Sequence, residues 1–187
     1  ATMAEAVADI PNGARVVIGG FTAPGTPRNL IKALRDQGAK DLTLILNSPG
    51  RSAGYSGGAL VESGQVRRIV SAFSALSRDT SIPFEKLVES GELETELMPQ
   101  GTLVERLRAG GAGIGAFYTP TGVGTELAEG RETRVFDGRE YLLELPLRAD
   151  YAFLRAHRAD ALGNLSFRLA QRNFGPIMAL AADITIV

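Results

Sequence analysis

A glycine-rich loop near the start of the chain has the residue types of a ligand-binding site. The loop, residues 19–25, follows a short apolar run at residues 14–18 and precedes a stretch at residues 28–37 whose apolar positions have helical spacing. Its glycines allow the backbone to turn sharply and to approach a ligand closely, and the first turn of the following helix leaves backbone N–H groups unpaired. We expect Thr26 to be the N-cap and Pro27 the first residue of that helix. This order of strand, loop and helix predicts a site for an anion or a carbonyl oxygen.

A glutamine at the end of another predicted strand is a second candidate. Residues 96–98 read as a short strand that leads into Pro99-Gln100-Gly101. Open α/β sheets bind ligands at the carboxyl ends of their strands. The amide of Gln100 can donate a hydrogen bond to a thioester or carboxylate oxygen, where negative charge develops during acyl transfer. The alternative is a turn residue that satisfies nearby backbone groups, and the residue types alone leave both open.

Several other residues could in principle take part in catalysis or cofactor binding, but structural roles explain them better. His157 ends a predicted strand and has no evident carboxylate partner, so a solvated or packed imidazole is favoured over a general base. Residues 111–116 match the dinucleotide fingerprint G-x-G-x-x-A, but a predicted helix precedes them, whereas that motif requires a strand before it and a helix after it. Helix caps, solvent-facing positions and strand edges account for the carboxylates of Glu105, Glu126, Glu129, Glu140 and Glu144. None of them stands out as a nucleophile.

The composition excludes several classes of site within this chain. There is no cysteine and one histidine, which rules out disulfides, thiolate catalysis and multi-histidine metal sites. Twenty Lys and Arg residues nearly balance 21 Asp and Glu residues, so the charge gives no support to a nucleic-acid or membrane-surface partner. No apolar stretch approaches the ~20 residues that span a bilayer. The 187 residues fit one domain, and we expect a cytoplasmic protein with a small-molecule ligand and no metal.

The elements that must position these residues alternate between strand and helix. Strands at residues 14–18 and 42–46 flank the helix at residues 28–37, which predicts a parallel sheet with right-handed crossovers. Thr102 and Glu105 have the spacing of a capping box that begins a helix, and Gly110 is expected to end it. Asp137-Gly138 predicts a hairpin turn. The remaining predicted elements are strands at residues 69–73, 151–155, 165–169 and 184–187, helices at residues 84–90 and 177–182, and a long glycine-rich loop at residues 112–125. The fold class is therefore α/β, an open and mostly parallel twisted sheet flanked by helices.

The glycine-rich segment also carries a family resemblance. Residues 12–27 have the pattern N-G-x-x-V-V-I-G-G-F-x-x-x-G-x-P, which resembles the α (A) subunit of family I coenzyme A transferases. This family includes acetate/acetoacetate, 3-oxoadipate and succinyl-CoA:3-oxoacid CoA-transferases. The resemblance continues at residues 99–103, 110–114, 119–125, 147–150 and 172–174, and it therefore spans nearly the whole chain.

The resemblance implies which residues bind the substrates. It implies that the glycine-rich loop contacts the coenzyme A thioester or its pantetheine arm, with Phe21 as an apolar wall. The residues of this loop are Gly19, Gly20, Phe21, Thr22, Ala23, Pro24 and Gly25. It also places Gln100, with Gly101 and Gly122, at the acyl pocket. Coenzyme A is then a substrate, and no cofactor is bound permanently.

The resemblance further implies that the catalytic nucleophile lies on another chain. Family I transferases use a glutamate in a serine-glutamate-asparagine-glycine type segment of the β (B) subunit or half, and this chain has no such segment. We therefore expect a half-enzyme that is active with a B subunit, as a heterodimer or heterotetramer. Acetate with short 3-oxoacids and the dicarboxylate 3-oxoadipate remain competing substrates. A dicarboxylate needs an additional cation, for which the sequence offers Arg51, Arg78, Arg106 and Arg108.

Two segments depart from the family pattern. Asn47-Ser48-Pro49-Gly50 occupies the place of an asparagine-rich loop in many relatives, and we expect it to border the acyl pocket together with residues 74–83. Relatives also continue beyond the position of Val187, so we expect residues 1–187 to be an A-subunit domain that is trimmed at its C-terminus. The alternative function is a stand-alone sugar-phosphate isomerase-like or ligand-sensing α/β domain, but neither a P-loop lysine nor a cluster of bases supports it.

Overall fold

The computed structural model describes residues 2–50, 56–74 and 83–187. Arg51, Arg78 and most of the segment predicted to border the acyl pocket at residues 74–83 lie outside the described residues. The helices are α1 (Met3–Val7), α2 (Arg28–Gln37), α3 (Gly57–Glu62), α4 (Pro83–Glu89), α5 (Gln100–Ala112) and α6 (Gly175–Ala181). The strands are β1 (Arg15–Ile18), β2 (Leu42–Leu46), β3 (Val66–Ser71), β4 (Glu94–Leu97), β5 (Phe117–Thr119), β6 (Thr133–Phe136), β7 (Arg139–Glu144), β8 (Ala149–Phe153), β9 (Arg158–Ala159), β10 (Leu165–Ser166) and β11 (Ala182–Ile186).

A six-stranded parallel sheet forms the centre of the fold, in the order β11-β8-β1-β2-β3-β4. The chain moves outward from β1 to β4 and then returns to the other side of β1, where β8 pairs with it. Val17 of β1 therefore lies between Ile45 of β2 and Ala152 of β8. The strand order reverses between β1 and β8, and the carboxyl ends of strands at such a switch point form the usual ligand crevice of open α/β sheets.

Helices cover both faces of this sheet and bury two apolar clusters. Val16 and Ile18 of β1 pack on one side with Ile31 and Leu34 of α2. Val17 points to the other side, where Leu103 and Leu107 of α5 and Met178 of α6 surround it. Both faces of β1 are buried, and this explains why its sequence is a continuous apolar run rather than an alternating one. The predicted fold class is confirmed.

A second, three-stranded antiparallel sheet is formed by β5, β7 and β6. Asp137 and Gly138, with φ of 48° and 74°, make the predicted turn between β6 and β7. Buried Glu144 of β7 pairs with Arg131, and Arg106 of α5 donates from Nε to the backbone oxygen of Leu145. The contact of Arg106 attaches the small sheet to the main body, and the pair with Arg131 lies within the small-sheet region.

The start of α2 differs from the prediction. Pro27 occupies the N-cap position and makes no side-chain cap hydrogen bond. The hydroxyl of Thr26 donates instead to the backbone oxygen of Thr22 at 3.0 Å, so Thr26 closes the glycine loop rather than capping the helix. Thr22 lies in the glycine loop and Thr26 follows it directly, so this hydrogen bond forms over four residues and leaves the Thr26 hydroxyl unavailable as a helix cap.

Both predicted ends of α5 were also wrong. The helix begins at Gln100, so Thr102 lies inside it, buried, and Glu105 pairs with Arg108 instead of reaching back to a cap. It continues past Gly110 and ends at Gly113, which has φ of 71°. Gly110 serves packing, since a Cβ there would lie 2.2 Å from the backbone oxygen of Leu147.

Smaller differences occur elsewhere in the chain. The predicted strand at residues 165–169 is paired only over Leu165–Ser166, and a short 3₁₀ turn follows at Leu169–Gln171. The glycine-rich loop at residues 112–125 contains the short strand β5. Helix α1 was missed although Thr2 and Glu5 form a capping box at its start.

Candidate functional site

Candidate residues from three segments gather at the carboxyl edge of the large sheet. The glycine loop follows β1, Asn47 follows β2, and Gln100 begins α5 after β4. The Nε2 atom of Gln100 donates to Oδ1 of Asn47 at 2.7 Å, and Asn47 is 3% exposed. The side chain of Gln100 therefore reaches across the end of β3, which lies between β2 and β4 in the sheet.

The backbone of Asn47 is held in the same place as its side chain. Its carbonyl oxygen accepts hydrogen bonds from the N–H groups of Ala72 and Phe73, both at 3.1 Å, where the chain leaves β3. The preceding residue, Leu46, is in register with Ser71. Asn47 thus connects the ends of β2, β3 and β4 at one point.

Glycine is required at two positions of the loop after β1. Gly20 has φ of +124°, and a Cβ there would lie 2.6 Å from the hydroxyl oxygen of Thr26 and 3.1 Å from its backbone nitrogen. Gly25 has φ of +79°, and a Cβ there would lie 2.7 Å from the backbone oxygen of Gln171. Within the loop, the N–H of Phe21 donates to the oxygen of Pro24 at 3.0 Å. The loop is a compact turn that leaves no room for side chains at these two positions.

Asn173 fixes this loop from outside. Its Nδ2 atom donates to the backbone oxygens of Pro24 at 3.1 Å and Ala170 at 2.8 Å. The ring of Phe21 lies 6.4 Å from that of Phe174, and Phe21 remains 45% exposed. The residue type of Asn173 gave no local signal of this role, and the sequence pointed to it only as part of the family pattern.

Two hollows lie beside the loop. A cleft of about 20 Å³, lined by Gly19, Gly20 and Asn47 among others, separates the ends of β1 and β2, and it has room for about one water molecule. A larger hollow of about 410 Å³ lies where α2 begins and β8 ends, and its lining includes Arg28 and His157. The imidazole of His157 is exposed and makes no hydrogen bond or ion pair with any described residue, so no carboxylate orients it as a base.

The other predicted site glycines occupy different surroundings. Gly101 lies in the first turn of α5, next to Gln100, and a Cβ there would meet no atom within 4 Å. Gly122 has φ of +92° and packs against Leu142 and Leu127 beside the small sheet. No hydrogen bond among the described residues joins Gly122 to Gln100, and the place of Gly122 in the acyl pocket stays a prediction.

Two of the four candidate cations have other partners. Arg106 is mostly buried and donates to Oε1 of Glu96 at 2.6 Å. Burial opposes ionisation of Glu96, but the hydrogen bonds and charges of Arg106 and Arg68 outweigh it and hold the pKa of Glu96 below its usual value. Arg108 pairs with Glu105 on the exposed side of α5. Arg106 is therefore committed to partners within the chain, whereas Arg108 lies in a solvent-exposed surface pair and its role as the additional cation stays a prediction.

The described part of the chain offers neither a metal site nor a membrane span. It contains no group of three His, Cys, Asp or Glu residues that could hold a metal ion. None of its helices is long and apolar enough to cross a bilayer.

Comparisons with known proteins agree with the resemblance over the whole chain. The sequence model of the family described as "Coenzyme A transferase" matches residues 1–187. The chain is 50% identical to the A subunit of 3-oxoadipate CoA-transferase from Pseudomonas putida over 186 residues, which is 99% of this chain and 79% of the relative. It is 46% identical to the alpha chain of acetate CoA-transferase from Escherichia coli K12, over 100% of this chain and 82% of that relative.

Solved structures show the same fold in enzymes with different names. Glutaconate coenzyme A-transferase from Acidaminococcus fermentans superimposes with a TM-score of 0.85 at 21% identity, covering 100% of this chain and 65% of that one. The decarboxylase AibA/AibB, in a C56S variant, gives a TM-score of 0.82 at 30% identity, covering 100% of this chain and 75% of that one.

Proposed function

The chain belongs to the coenzyme A transferase family, and we propose that it is the A subunit of a two-subunit enzyme that moves coenzyme A between carboxylic acids. The donor is an acyl-CoA such as succinyl-CoA or acetyl-CoA, and the acceptor is a 3-oxoacid or a short-chain fatty acid. The observation that carries the proposal is the 45–50% identity to subunits named in this way, over nearly the whole chain. Residues 1–187 form the A-subunit domain in this proposal.

The proposed reaction is a ping-pong exchange through a glutamate of the B subunit. The glutamate carboxylate attacks the acyl carbonyl carbon, the C–S bond breaks, and an acyl-glutamyl anhydride and the coenzyme A thiolate result. The thiolate then attacks the glutamyl carbonyl, which gives a glutamyl-CoA thioester and releases the first carboxylate. The acceptor carboxylate reverses these steps and leaves as a new acyl-CoA. No proton has to be transferred, so the absence of an oriented imidazole at the described edge of the sheet is compatible with this route.

The role of this chain in the proposal is to bind the thioester and to stabilise negative charge. The loop at residues 19–25 contacts the thioester or the pantetheine arm, and its glycines let the substrate approach the backbone closely. Gln100 donates a hydrogen bond to the acyl oxygen as it becomes an oxyanion. Gly101, which has open space around it, and Gly122 complete the acyl pocket. The support for these roles is the position of the loop and of Gln100 at the same edge of the sheet, next to the switch point.

We assign the nucleophile to the partner because this chain lacks the serine-glutamate-asparagine-glycine type segment that carries it in the family. The two carboxylates that contact Arg106 of α5 are, in addition, already paired. Glu96 binds Arg106 and Arg68, and Glu144 binds Arg131. A carboxylate held by arginines is a weaker nucleophile than a free one, since its charge is neutralised by hydrogen bonds. This supports a half-enzyme that requires its B subunit.

Intact-mass analysis tests the proposal. The chain is mixed with acetoacetyl-CoA or succinyl-CoA, alone and together with the B subunit encoded beside it. We expect a coenzyme A-sized adduct on the B subunit in the mixture and no adduct on this chain. An adduct on this chain alone would contradict the assignment of the nucleophile. Loss of CO₂ from the substrate without any adduct would indicate a decarboxylase, the activity named for AibA/AibB.

A further inference from the structure

We infer that Asn47 is a positioning residue that orients the amide of Gln100 for catalysis. The inference rests on the proposed function of Gln100 as donor to the acyl oxygen. It starts from one contact, the 2.7 Å hydrogen bond from Nε2 of Gln100 to Oδ1 of Asn47. A buried side chain that contacts the proposed donor controls where that donor points.

The two partners differ in how firmly they are held. Asn47 is 3% exposed, and its backbone oxygen accepts from Ala72 and Phe73 directly after β2. Gln100 is half-buried at the start of α5, and its side chain has more rotatable bonds than that of asparagine. Among the described residues, Asn47 is the single hydrogen-bond partner of the Gln100 side chain. The rigid member of the pair is therefore Asn47, and Gln100 takes its orientation from it.

The direction of the hydrogen bond decides which end of the Gln100 amide is presented to a substrate. A glutamine amide has two N–H donors and one acceptor oxygen. Because Oδ1 of Asn47 accepts one N–H, the Nε2 end of Gln100 is fixed toward the centre of the sheet edge and its second N–H is left to donate. Rotation of the amide by half a turn would bring Oε1 to the same place, where it repels a developing oxyanion. Asn47 thus selects the donor orientation.

A double-mutant cycle in the complex with the B subunit tests this inference. We expect Asn47→Ala to lower kcat about tenfold and Gln100→Ala about 100-fold, because misplacing a donor costs less than removing it. The KM for acyl-CoA should change less than about twofold. The double variant should have the kcat of Gln100→Ala, since Asn47 acts through Gln100. Independent, multiplying losses in the double variant would overturn the inference, and so would a raised KM with unchanged kcat.

A control variant and an alternative substitution separate a general loss of stability in Asn47→Ala from the inferred loss of positioning of Gln100. Asn12→Ala is the matched control, because Oδ1 of Asn12 also accepts one hydrogen bond, from the N–H of Lys40 at 2.8 Å, but at the opposite edge of the sheet. It should lower stability and leave kcat unchanged. If Asn47→Ala does not assemble, Asn47→Ser provides the same cycle, since its shorter side chain cannot reach Gln100.

A readout that needs no activity is the NMR signal of the Gln100 side-chain amide in the isotope-labelled complex. Asn47→Ala should move this signal toward the values of a freely rotating glutamine, and Asn12→Ala should not. An unchanged signal would overturn the inference even if the enzyme proved not to be a transferase. An inactive wild-type complex with the expected NMR change would instead contradict the proposed function alone.

Discussion

Replacing Gly20 with alanine tests whether the loop after β1 is a close-approach binding loop. Gly20 has φ of +124°, a region that costs a residue with a side chain about 1–3 kcal/mol. The new Cβ would also lie 3.1 Å from both the backbone nitrogen and Cα of Thr26, and these atoms belong to the main chain and cannot rotate away. Overpacking of this kind costs about 1–3 kcal/mol more. The loop must therefore shift, and the free energy of unfolding should fall by about 2–6 kcal/mol.

The matched control for this substitution is Gly38→Ala. Gly38 follows α2 with φ of +89°, and a Cβ there would meet no atom within 4 Å. The Gly38→Ala substitution should lower the free energy of unfolding by about 1 kcal/mol through backbone strain alone, and the rate of coenzyme A transfer should stay unchanged. For Gly20→Ala assembled with the B subunit, we expect kcat/KM to fall about 100-fold, because a displacement of about 1 Å in a binding loop has an effect of this size. A Gly20→Ala complex with wild-type kcat/KM, measured at a temperature where both variants are folded, would refute the role of the loop.

The remaining predictions concern the residues that hold the site and the small sheet. Asn173→Ala removes the hydrogen bonds to Pro24 and Ala170 and should lower the free energy of unfolding by about 1–3 kcal/mol. Amide hydrogen exchange at residues 20–25 should become faster, and unchanged exchange there would show that the loop holds its shape without Asn173. The pKa of Glu96 is held below the ordinary glutamate value of 4.5, so its contribution to stability is fully present above that pH and is lost as the pH falls through the folded-state pKa. Urea unfolding from about pH 7 to about pH 3 should therefore show a smaller loss of stability for Glu96→Gln than for wild type, and equal losses would contradict the assignment.

The central elements could be predicted because their signals are local. The continuous apolar run of β2 predicted the observed bounds of that strand, and the helical spacing of residues 28–37 predicted α2 apart from the role of Pro27 at its start. The turn at Asp137-Gly138 followed from residue type in the same way. The pattern also placed Gln100 after a strand, although the observed helix begins at Gln100 itself.

The errors came from contacts between distant parts of the chain. Gly110 has the residue type of a helix terminator, but the backbone of Leu147 packs so closely on α5 that only glycine fits there. The contact between Asn173 and Pro24 joins residues 149 positions apart, and that between Gln100 and Asn47 joins residues 53 positions apart. A single sequence carries no local signal for such pairs. The family pattern marked Asn173 without giving a reason, and the structure supplies one.

The same two contacts bear on how a half-enzyme would meet its partner. Asn173 fixes the glycine loop and Asn47 fixes Gln100, each through hydrogen bonds within this chain. Under the proposed function, the binding loop and the oxyanion donor are therefore ordered before the B subunit binds, and association does not have to order them. Because an ordered donor costs no reorganisation when charge develops, this arrangement also favours the chemical step. We thus expect Asn47→Ala to weaken catalysis more than assembly: the Kd for the B subunit should change less than about threefold while kcat falls about tenfold. A loss of affinity as large as the loss of kcat would show instead that Asn47 organises the subunit interface.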